Sequence, residues 1–281
     1  MQKYNPILQP ILKWVGGKRQ LIKEISPLIP RNISTYVEPF VGGGAVLFNV
    51  QPKRAIINDL NEELINTYRV IKNYPEELIQ KLMYHNENNN EEYFYKLRAL
   101  DRDVKYKNIG EISRAARIIY LNKTCYNGLY RVNSSGFFNT PYGKYKSPNI
   151  VNETMIRAMT NYFNSSNVKI LNGDYKLALK GLRKGSFVYF DPPYVPISTS
   201  SSFTGYTEQG FGLDDQLDLK KECDKLNAKG IKFLLSNSDT PFIRELYADY
   251  NIKTVQAKRA INSNASKRGD INEVLVYNYE V

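Results

Sequence analysis

Short apolar runs alternate with longer amphipathic stretches along the chain. Runs rich in β-branched and aromatic residues predict buried strands at residues 35–40, 55–59, 168–171, 187–190, 231–235, 252–256 and 274–279. Apolar residues recur with helical spacing at residues 19–25 and 45–50 and, between the second and third strands, at 62–72, 75–83, 91–100 and 111–122. This order predicts a doubly wound α/β protein of about seven strands with a mostly helical insert.

The strand at 187–190 runs directly into Asp191-Pro192-Pro193-Tyr194. In an open α/β sheet, ligands bind at the carboxyl ends of strands. An ionised aspartate only accepts hydrogen bonds, and prolines offer carbonyls but no N–H groups. The segment therefore fits a flat group with an NH₂, whose hydrogens go to the Asp191 carboxylate and the Pro192 carbonyl while Tyr194 stacks on the ring. A nucleobase amine fits; the alternative is a strand that merely ends in a proline turn.

A glycine turn follows the first strand, in Glu38-Pro39-Phe40-Val41-Gly42-Gly43-Gly44. A strand, a glycine turn and a helix start present backbone N–H groups to a negatively charged ligand. A dinucleotide fingerprint needs glycine where Leu47 stands, which argues against an NAD-dependent enzyme. Asp59, 17 positions after Gly42, ends the second strand. It is either a ligand for ribose hydroxyls or a helix cap.

The N-terminal segment carries Trp14, two glycines and Lys18. A phosphate-binding loop is excluded because its first glycine and its Ser or Thr are replaced by Leu12 and Arg19. Taken alone, Trp14 is equally well interpreted as a core residue before a helix.

The overall charge points to a polyanionic partner. Lys and Arg number 39 against 28 Asp and Glu, a net charge of +11, which favours nucleic acid over a membrane. Acidic residues are absent between Glu111 and Glu153, where tyrosines and phenylalanines surround six basic residues: Arg114, Arg117, Lys123, Arg131, Lys144 and Lys146. We predict a basic surface here that contacts phosphates and stacks on bases, with a hairpin turn at 133–138; the alternative is a solvated face with core aromatics.

Several further predictions concern single residues and loops. Without a signal peptide or an apolar span, we expect a cytoplasmic protein. Cys125 and Cys223 are predicted to be free thiols, and His85 a solvated helix residue, so no metal site is expected. Residues 196–212 are either a mobile flap or a plain surface linker, and 258–268 a second basic loop.

The chain resembles, nearly end to end, the Dam-type DNA adenine methyltransferases, the alpha group of amino-methyltransferases. The resemblance rests on five segments in this order: Lys13-Trp14-x-Gly-Gly-Lys18, Glu38-Pro39-Phe40-x-Gly42-x-Gly44, Asp59, Tyr126-Asn127-Gly128-Leu129-Tyr130-Arg131 and Asp191-Pro192-Pro193-Tyr194. It implies an enzyme with a Rossmann-like sheet and S-adenosylmethionine as its cofactor. It also implies a catalytic domain at 1–61 plus 166–281 and a DNA-recognition domain at 62–165.

The resemblance also implies roles for single residues. The glycine turn with Trp14 and Lys18 would hold the cofactor's methionine end, Asp59 its ribose, and Asp174 would lie near its adenine. The full cofactor set is Trp14, Lys18, Glu38, Phe40, Gly42, Gly44, Asp59, Asp174 and Asp191. Arg131 would read guanine and Tyr126 would wedge into the duplex. The full DNA set is Tyr126, Asn127, Arg131, Asn139 and Lys144.

The function implied by the resemblance is methylation of the amine of a flipped-out adenine in double-stranded DNA, within GATC, by a monomer that needs no metal. Such an enzyme either partners a restriction enzyme or acts alone or in a phage. Two alternatives stay open at this point: an RNA or protein methyltransferase on the same fold, and a non-catalytic DNA-binding relative.

Overall fold

The computed structural model describes residues 4–195, 211–258 and 270–281. They contain one sheet of seven strands, β1 to β7, at Thr35–Glu38, Arg54–Asp59, Asn167–Asn172, Ser186–Phe190, Lys232–Ser238, Asn251–Lys258 and Asp270–Tyr277. The strand order is β3-β2-β1-β4-β5-β7-β6. Strand β7 runs antiparallel to β5 and β6, whereas β1 to β5 pair in parallel. The predicted seven-stranded α/β sheet is confirmed.

Helices α1 to α10 surround the sheet. They span Ile22–Ile25, Ala45–Val50, Glu62–Asn73, Pro75–Glu87, Glu91–Ala99, Glu111–Thr124, Glu153–Ser165, Lys176–Leu179, Leu213–Ala228 and Pro241–Leu246. An asparagine caps α3, α5 and α7, because its side-chain oxygen accepts a backbone N–H that the helix leaves unpaired: Asn61, Asn90 and Asn152. Helical spacing predicts α2 to α6 correctly. Helices α7 to α10 were not predicted. None of the described helices is long and apolar enough to cross a membrane.

Alternate residues of the central strands enter two different hydrophobic clusters. Tyr36 and Tyr189 pack with the helices that connect β2 to β3. Val37 and Val188 pack on the opposite face, together with buried residues of α9 and α10. All five residues of β4 are buried, because helices cover both of its faces. The end of β4 is therefore held rigidly.

The chain reverses its direction of travel across the sheet between β1 and β4. From β1 it proceeds outward through β2 to β3, then returns to β4 and continues to β5. Connections leave the two adjacent strands toward opposite edges, which opens a crevice at their carboxyl ends. Glu38 ends β1 and Asp191 follows β4, so both lie at this crevice.

Helices α3 to α7 form the segment between β2 and β3. Their buried residues belong to the same hydrophobic cluster as one face of the sheet. The division into domains at residues 62 and 166 therefore stays a prediction. The predicted loops at 196–212 and 258–268 lie outside the described residues, except for Phe211, Gly212 and the backbone of Lys258.

Two arginines assigned to a basic surface are instead buried in ion pairs. Arg114 Nη2 lies 2.6 Å from Glu63 Oε1 and 2.8 Å from Glu62 Oε1. Arg117, 2% exposed, has its Nη2 2.9 Å from Asp101 Oδ2. That part of the prediction is wrong, because the acids that pair with both arginines come from outside the acid-free stretch and only the fold brings them there.

The prediction of a solvated His85 is also wrong. His85 lies in α4 but is 3% exposed, and its Nδ1 is 2.7 Å from the Tyr93 hydroxyl. Burial lowers the His85 pKa to about 4. The side chain is thus a neutral part of an aromatic cluster with Tyr93 and Tyr120.

Both cysteines match their prediction. Cys125 and Cys223 are buried and unpaired. Burial raises the pKa of Cys125 to about 12. Since only a thiolate is an effective nucleophile, neither thiol is suited to covalent catalysis.

We expect His85→Gln to reduce the acid sensitivity of folding. The unfolded histidine titrates near pH 6.5, above the folded pKa of about 4, so the unfolded chain takes up the proton first as the pH falls. The contribution of neutral His85 to the free energy of unfolding is fully present above about pH 6.5 and decreases as the pH falls. Between about pH 7 and about pH 5 the decrease is about 2 kcal/mol. Urea unfolding of both proteins at the two pH values measures it. Equal losses in both would contradict the expectation, since all other titrating groups are shared.

Candidate active site

Asp191 lies at the carboxyl end of the buried strand β4. Lys18 Nζ is 2.8 Å from Asp191 Oδ1, and Ser236 Oγ donates to the same oxygen at 3.1 Å. Burial raises the pKa of the Asp191 carboxyl, while the Lys18 ammonium lowers it. A buried charge is tolerated when a partner of opposite charge and hydrogen bonds compensate it. Lys18 therefore favours the ionised, acceptor-only form of Asp191.

Lys18 connects the N-terminal motif to the segment Asp191–Tyr194, named here the corner. Its Nζ donates to the Gly16 carbonyl at 2.7 Å and lies 4.6 Å from the centroid of the Tyr194 ring. The resemblance assigned Lys18 to the cofactor, and that role stays a prediction. The contact that the structure adds is the ion pair with the catalytic candidate Asp191.

The rest of the corner is held from several sides. The Tyr194 hydroxyl donates to Glu273 Oε2 at 2.7 Å, which fixes the ring orientation. Pro192 is buried and Pro193 is exposed. The Pro193 carbonyl accepts a hydrogen bond from Gln216 Nε2 at 2.9 Å. Asp191 and Tyr194 are thus each held by polar contacts, and the role of Asp191 and the Pro192 carbonyl as an acceptor pair stays a prediction.

The glycine turn is packed between Trp14 and Asp59. Gly42 and Gly44 have φ values of 47° and 73°, which glycine adopts without the penalty that a Cβ brings. The Gly42 N–H donates to Asp59 Oδ2 at 2.9 Å. A Cβ on Gly42 would lie 3.1 Å from Trp14 Cδ1. The turn leaves little room for any larger residue at position 42.

Asp59 is not a helix cap. Asn61 caps α3 by accepting the Leu64 N–H, and Asp59 Oδ1 accepts the Asn61 N–H at 3.0 Å. Burial raises the Asp59 pKa. With the cap alternative excluded, its role as a ribose ligand stays a prediction.

Glu38 completes a group of three carboxyl groups at the ends of β1, β2 and β4. It is 2% exposed, and the Tyr36 hydroxyl donates to its Oε2 at 2.7 Å. Burial, together with the charges of Asp191 and Asp59, raises the Glu38 pKa to about 8. The described residues contain no cluster suited to a metal ion. Carboxyl groups that repel each other in this way favour a cationic organic ligand.

An aromatic surface adjoins the glycine turn. The Phe40 ring stacks on Tyr175 with centroids 5.2 Å apart and meets Phe211 edge-on at 5.7 Å. Asp174, exposed beyond the end of β3, accepts the Lys176 N–H at 2.8 Å. Phe40 follows β1 and Asp174 follows β3, with the end of β2 between them. Their roles at the cofactor stay predictions.

The predicted DNA-contacting residues follow α6. Tyr126, 58% exposed, starts a short 3₁₀ turn, and Asn127 has a left-handed φ of 57°. Arg131 is exposed, and its Nε donates to Asn139 Oδ1 at 2.7 Å. Lys144 is exposed, with Nζ 3.7 Å from Glu91. An antiparallel bridge between Val132 and Phe138 confirms the hairpin turn at 133–138.

Asn122 joins this segment to the N-terminal motif. Its side-chain amide accepts the Lys13 N–H at 2.8 Å and donates to the Lys13 carbonyl at 2.9 Å and the Gly128 carbonyl at 3.0 Å. Trp14 stacks on Tyr130 with centroids 4.5 Å apart. Trp14 is half-buried and packs against the main hydrophobic cluster, so both interpretations of this residue stay open.

The structure adds contact residues that the sequence did not identify: Ser236, Gln216 and Glu273. The sequence shows the polar stretch at 236–238 at the end of a predicted strand, but it does not show that Ser236 contacts Asp191. Gln216 and Glu273 give no local signal, because their contacts with the corner depend on how α9 and β7 pack beside β4 and β5.

The fold and the corner define an α/β enzyme with its site at the switch point of a doubly wound sheet. Residues 14–261 match the family model described as D12 class N6 adenine-specific DNA methyltransferase. The chain belongs to this family and is an adenine-specific DNA methyltransferase. Membership decides against the NAD-dependent, RNA- or protein-modifying and non-catalytic alternatives.

Relatives support the same family over almost the full chain. Type II methyltransferase M1.LlaDCHI of Lactococcus lactis subsp. cremoris is 46% identical, with 99% of this chain and 98% of the relative covered. Type II methyltransferase M.MjaIII of Methanocaldococcus jannaschii is 45% identical, with 97% and 99% covered. A DNA adenine methylase of Serratia marcescens is 34% identical, with 94% and 96% covered.

We expect Lys18→Met to move the acid limb of the pH–rate profile to higher pH. Removal of the ammonium removes the largest influence that lowers the Asp191 pKa, while the burial that raises it remains. The carboxyl group then becomes protonated, and loses acceptor capacity, at a higher pH. Single-turnover methyl transfer at saturating cofactor, between about pH 5 and about pH 9, measures the limb. Lys18→Arg keeps the charge and is the control; a uniform rate loss without movement of the limb would count against the expectation.

Proposed function

We propose that this enzyme transfers a methyl group from S-adenosylmethionine to the 6-amino group of an adenine rotated out of double-stranded DNA, within GATC. The observation that carries the proposal is the position of the corner, at the end of β4 and next to the glycine turn that follows β1. There Asp191, Pro192 and Tyr194 would present two acceptors and a ring. An adenine inside a duplex cannot present its amine to such a site, so the base must leave the stack.

The cofactor proposal rests on the charge and shape of the strand ends. The charge of Asp191 raises the pKa of both Glu38 and Asp59, and the charge of Asp59 raises that of Glu38, so a cation is favoured there. S-adenosylmethionine, when bound, supplies a methyl group on a positively charged sulfur. The glycine turn with Trp14 and Lys18 would hold its methionine end, Asp59 its ribose hydroxyls, and Asp174 would lie near its adenine. Glu38 and Phe40 complete the proposed cofactor site.

The residues of the corner would orient the target amine. Lys18 and Ser236 both contact Asp191 Oδ1, and we assign Oδ2 to one amine hydrogen. The Pro192 carbonyl takes the other hydrogen, and Tyr194 stacks on the base. The nitrogen lone pair then points toward the methyl group for in-line transfer, so that positioning and acceptor electrostatics supply most of the rate.

The DNA-contacting side is proposed at Tyr126, Asn127, Arg131, Asn139 and Lys144. The exposed Tyr126 ring suits a wedge between bases. Asn139 holds Arg131 through Nε, and the terminal nitrogens of an oriented arginine fit the two acceptors of guanine in the major groove. The target GATC follows from the resemblance of the Tyr126–Arg131 motif. A net charge of +11 supports phosphate contacts.

We expect Asp191→Ala to abolish methyl transfer, with a rate loss of at least about 10³-fold, because the main acceptor for the amine is removed. Affinity for duplex DNA should stay within about threefold, since phosphate contacts supply most of it. Single-turnover methylation and fluorescence anisotropy measure the two quantities. Asp249→Ala, at an exposed position, is the matched control. An active Asp191→Ala enzyme would refute the role of the corner.

We expect expression in cells without adenine methylation to protect their DNA at GATC. Digestion with one nuclease that methylated GATC blocks and with another that requires it gives opposite results for a GATC enzyme. If the DNA stays sensitive to the first nuclease but contains N6-methyladenine, the target sequence is not GATC. The proposed reaction would still hold in that case.

A further inference from the structure

A buried chain of side-chain amides lies behind the corner. Gln216 of α9 and Asn237 of β5 are 1% and 0% exposed, and Asn237 Nδ2 donates to Gln216 Oε1 at 3.1 Å. Gln216 Nε2 donates to the Pro193 carbonyl at 2.9 Å. At the other end, Asn237 Oδ1 accepts the Val195 N–H at 3.3 Å. The two amides therefore hold the backbone on both sides of Tyr194.

Ser238 extends this chain. Its Oγ donates to the Val195 carbonyl at 2.6 Å, and its N–H donates to Asn237 Oδ1 at 2.8 Å. Both backbone groups of Val195 are thus bound to the end of β5. We name Gln216, Asn237 and Ser238 the amide support.

Protein stability alone does not explain the amide support. A buried amide is costly unless it is hydrogen-bonded, and an apolar side chain of the same shape carries no such requirement. Other buried positions on the same two elements carry apolar residues, such as Leu219 and Leu235. What requires polar groups here is the corner, because Pro192 and Pro193 have no N–H groups with which the turn could hold itself.

The amide support also occupies two of the carbonyls around Tyr194. Gln216 and Ser238 take up the carbonyls of Pro193 and Val195. Within the part of the chain that the structure describes, no group donates to the Pro192 carbonyl. That carbonyl is the one that the proposed function assigns to the adenine amine.

We propose that Gln216 and Asn237, with Ser238, are positioning residues for methyl transfer, which hold the corner without touching the substrate. The proposal rests on the proposed function of the corner and adds three residues to it. By binding the Pro193 carbonyl, Gln216 keeps the neighbouring Pro192 carbonyl directed to the amine. A displacement of about 1 Å at such a site reduces the rate about 10²-fold.

The first test is Gln216→Leu, which has a similar volume and neither hydrogen-bonding atom. We expect the single-turnover rate of methyl transfer to fall about 10²-fold, while the dissociation constants for cofactor and duplex stay within about threefold. This split separates positioning from binding. A wild-type rate, or a rate loss that weaker binding explains, would overturn the proposal.

A double-mutant cycle tests whether the amides act as one chain. Asn237→Leu should lower the rate by a similar factor, and the variant with both substitutions should lose little more than the worse single variant, because breaking either link releases the corner. Losses that multiply in the double variant would show independent effects and contradict the chain.

Leu219→Val is the matched control, since Leu219 is fully buried on the same helix but outside the amide support. It should lower the melting temperature and keep the wild-type rate. An equal rate loss in this control would overturn the proposal. If Gln216→Leu does not fold, Ser238→Ala is the replacement test, because it removes only one oxygen atom. A several-fold loss of the methyl-transfer rate supports the proposal, and an unchanged rate overturns it. The proposed function is tested separately, by methyl transfer from the wild-type enzyme to duplex DNA that contains adenine. If the wild type is active and only the variants lose rate, the loss concerns positioning alone.

Discussion

A carboxylate that accepts hydrogen bonds inside a protein must stay ionised in surroundings that favour its protonated form. At the end of β4 the Lys18 ammonium, 2.8 Å from Asp191, lowers the pKa of the carboxyl group and offsets part of the effect of burial. The ion pair fixes the N-terminal motif beside the corner and brings the same ammonium close to the Tyr194 ring. The sheet supplies the rigid base for this arrangement, because every residue of β4 is buried.

The same crevice concentrates negative charge. The doubly wound order places the ends of β1 and β4 side by side, with β2 adjacent, and each strand contributes a carboxyl group. Glu38, the most deeply buried of the three, has its pKa raised to about 8. Repulsion among these groups favours a cationic partner at this crevice.

The proposed cofactor and DNA sites are in direct contact. One buried amide, that of Asn122, binds backbone groups of both Lys13 and Gly128, and Trp14 stacks on Tyr130. A change in the position of either segment is therefore felt by the other. Two arginines of the helical segment, by contrast, serve its internal packing: Arg114 and Arg117 are buried and pair with acids of the same segment.

The sequence by itself determined the features that depend on neighbours along the chain. These are the seven strands, helices α2 to α6, the corner at Asp191 and the glycine turn. The spacing of apolar residues, proline and glycine each determine the conformation of the backbone near them. Only the tertiary structure decided which distant groups meet. It paired Lys18 with Asp191, buried His85 among tyrosines, and placed Gln216 behind the corner. Burial and electrostatics depend on elements far apart in sequence, so a local pattern does not contain them.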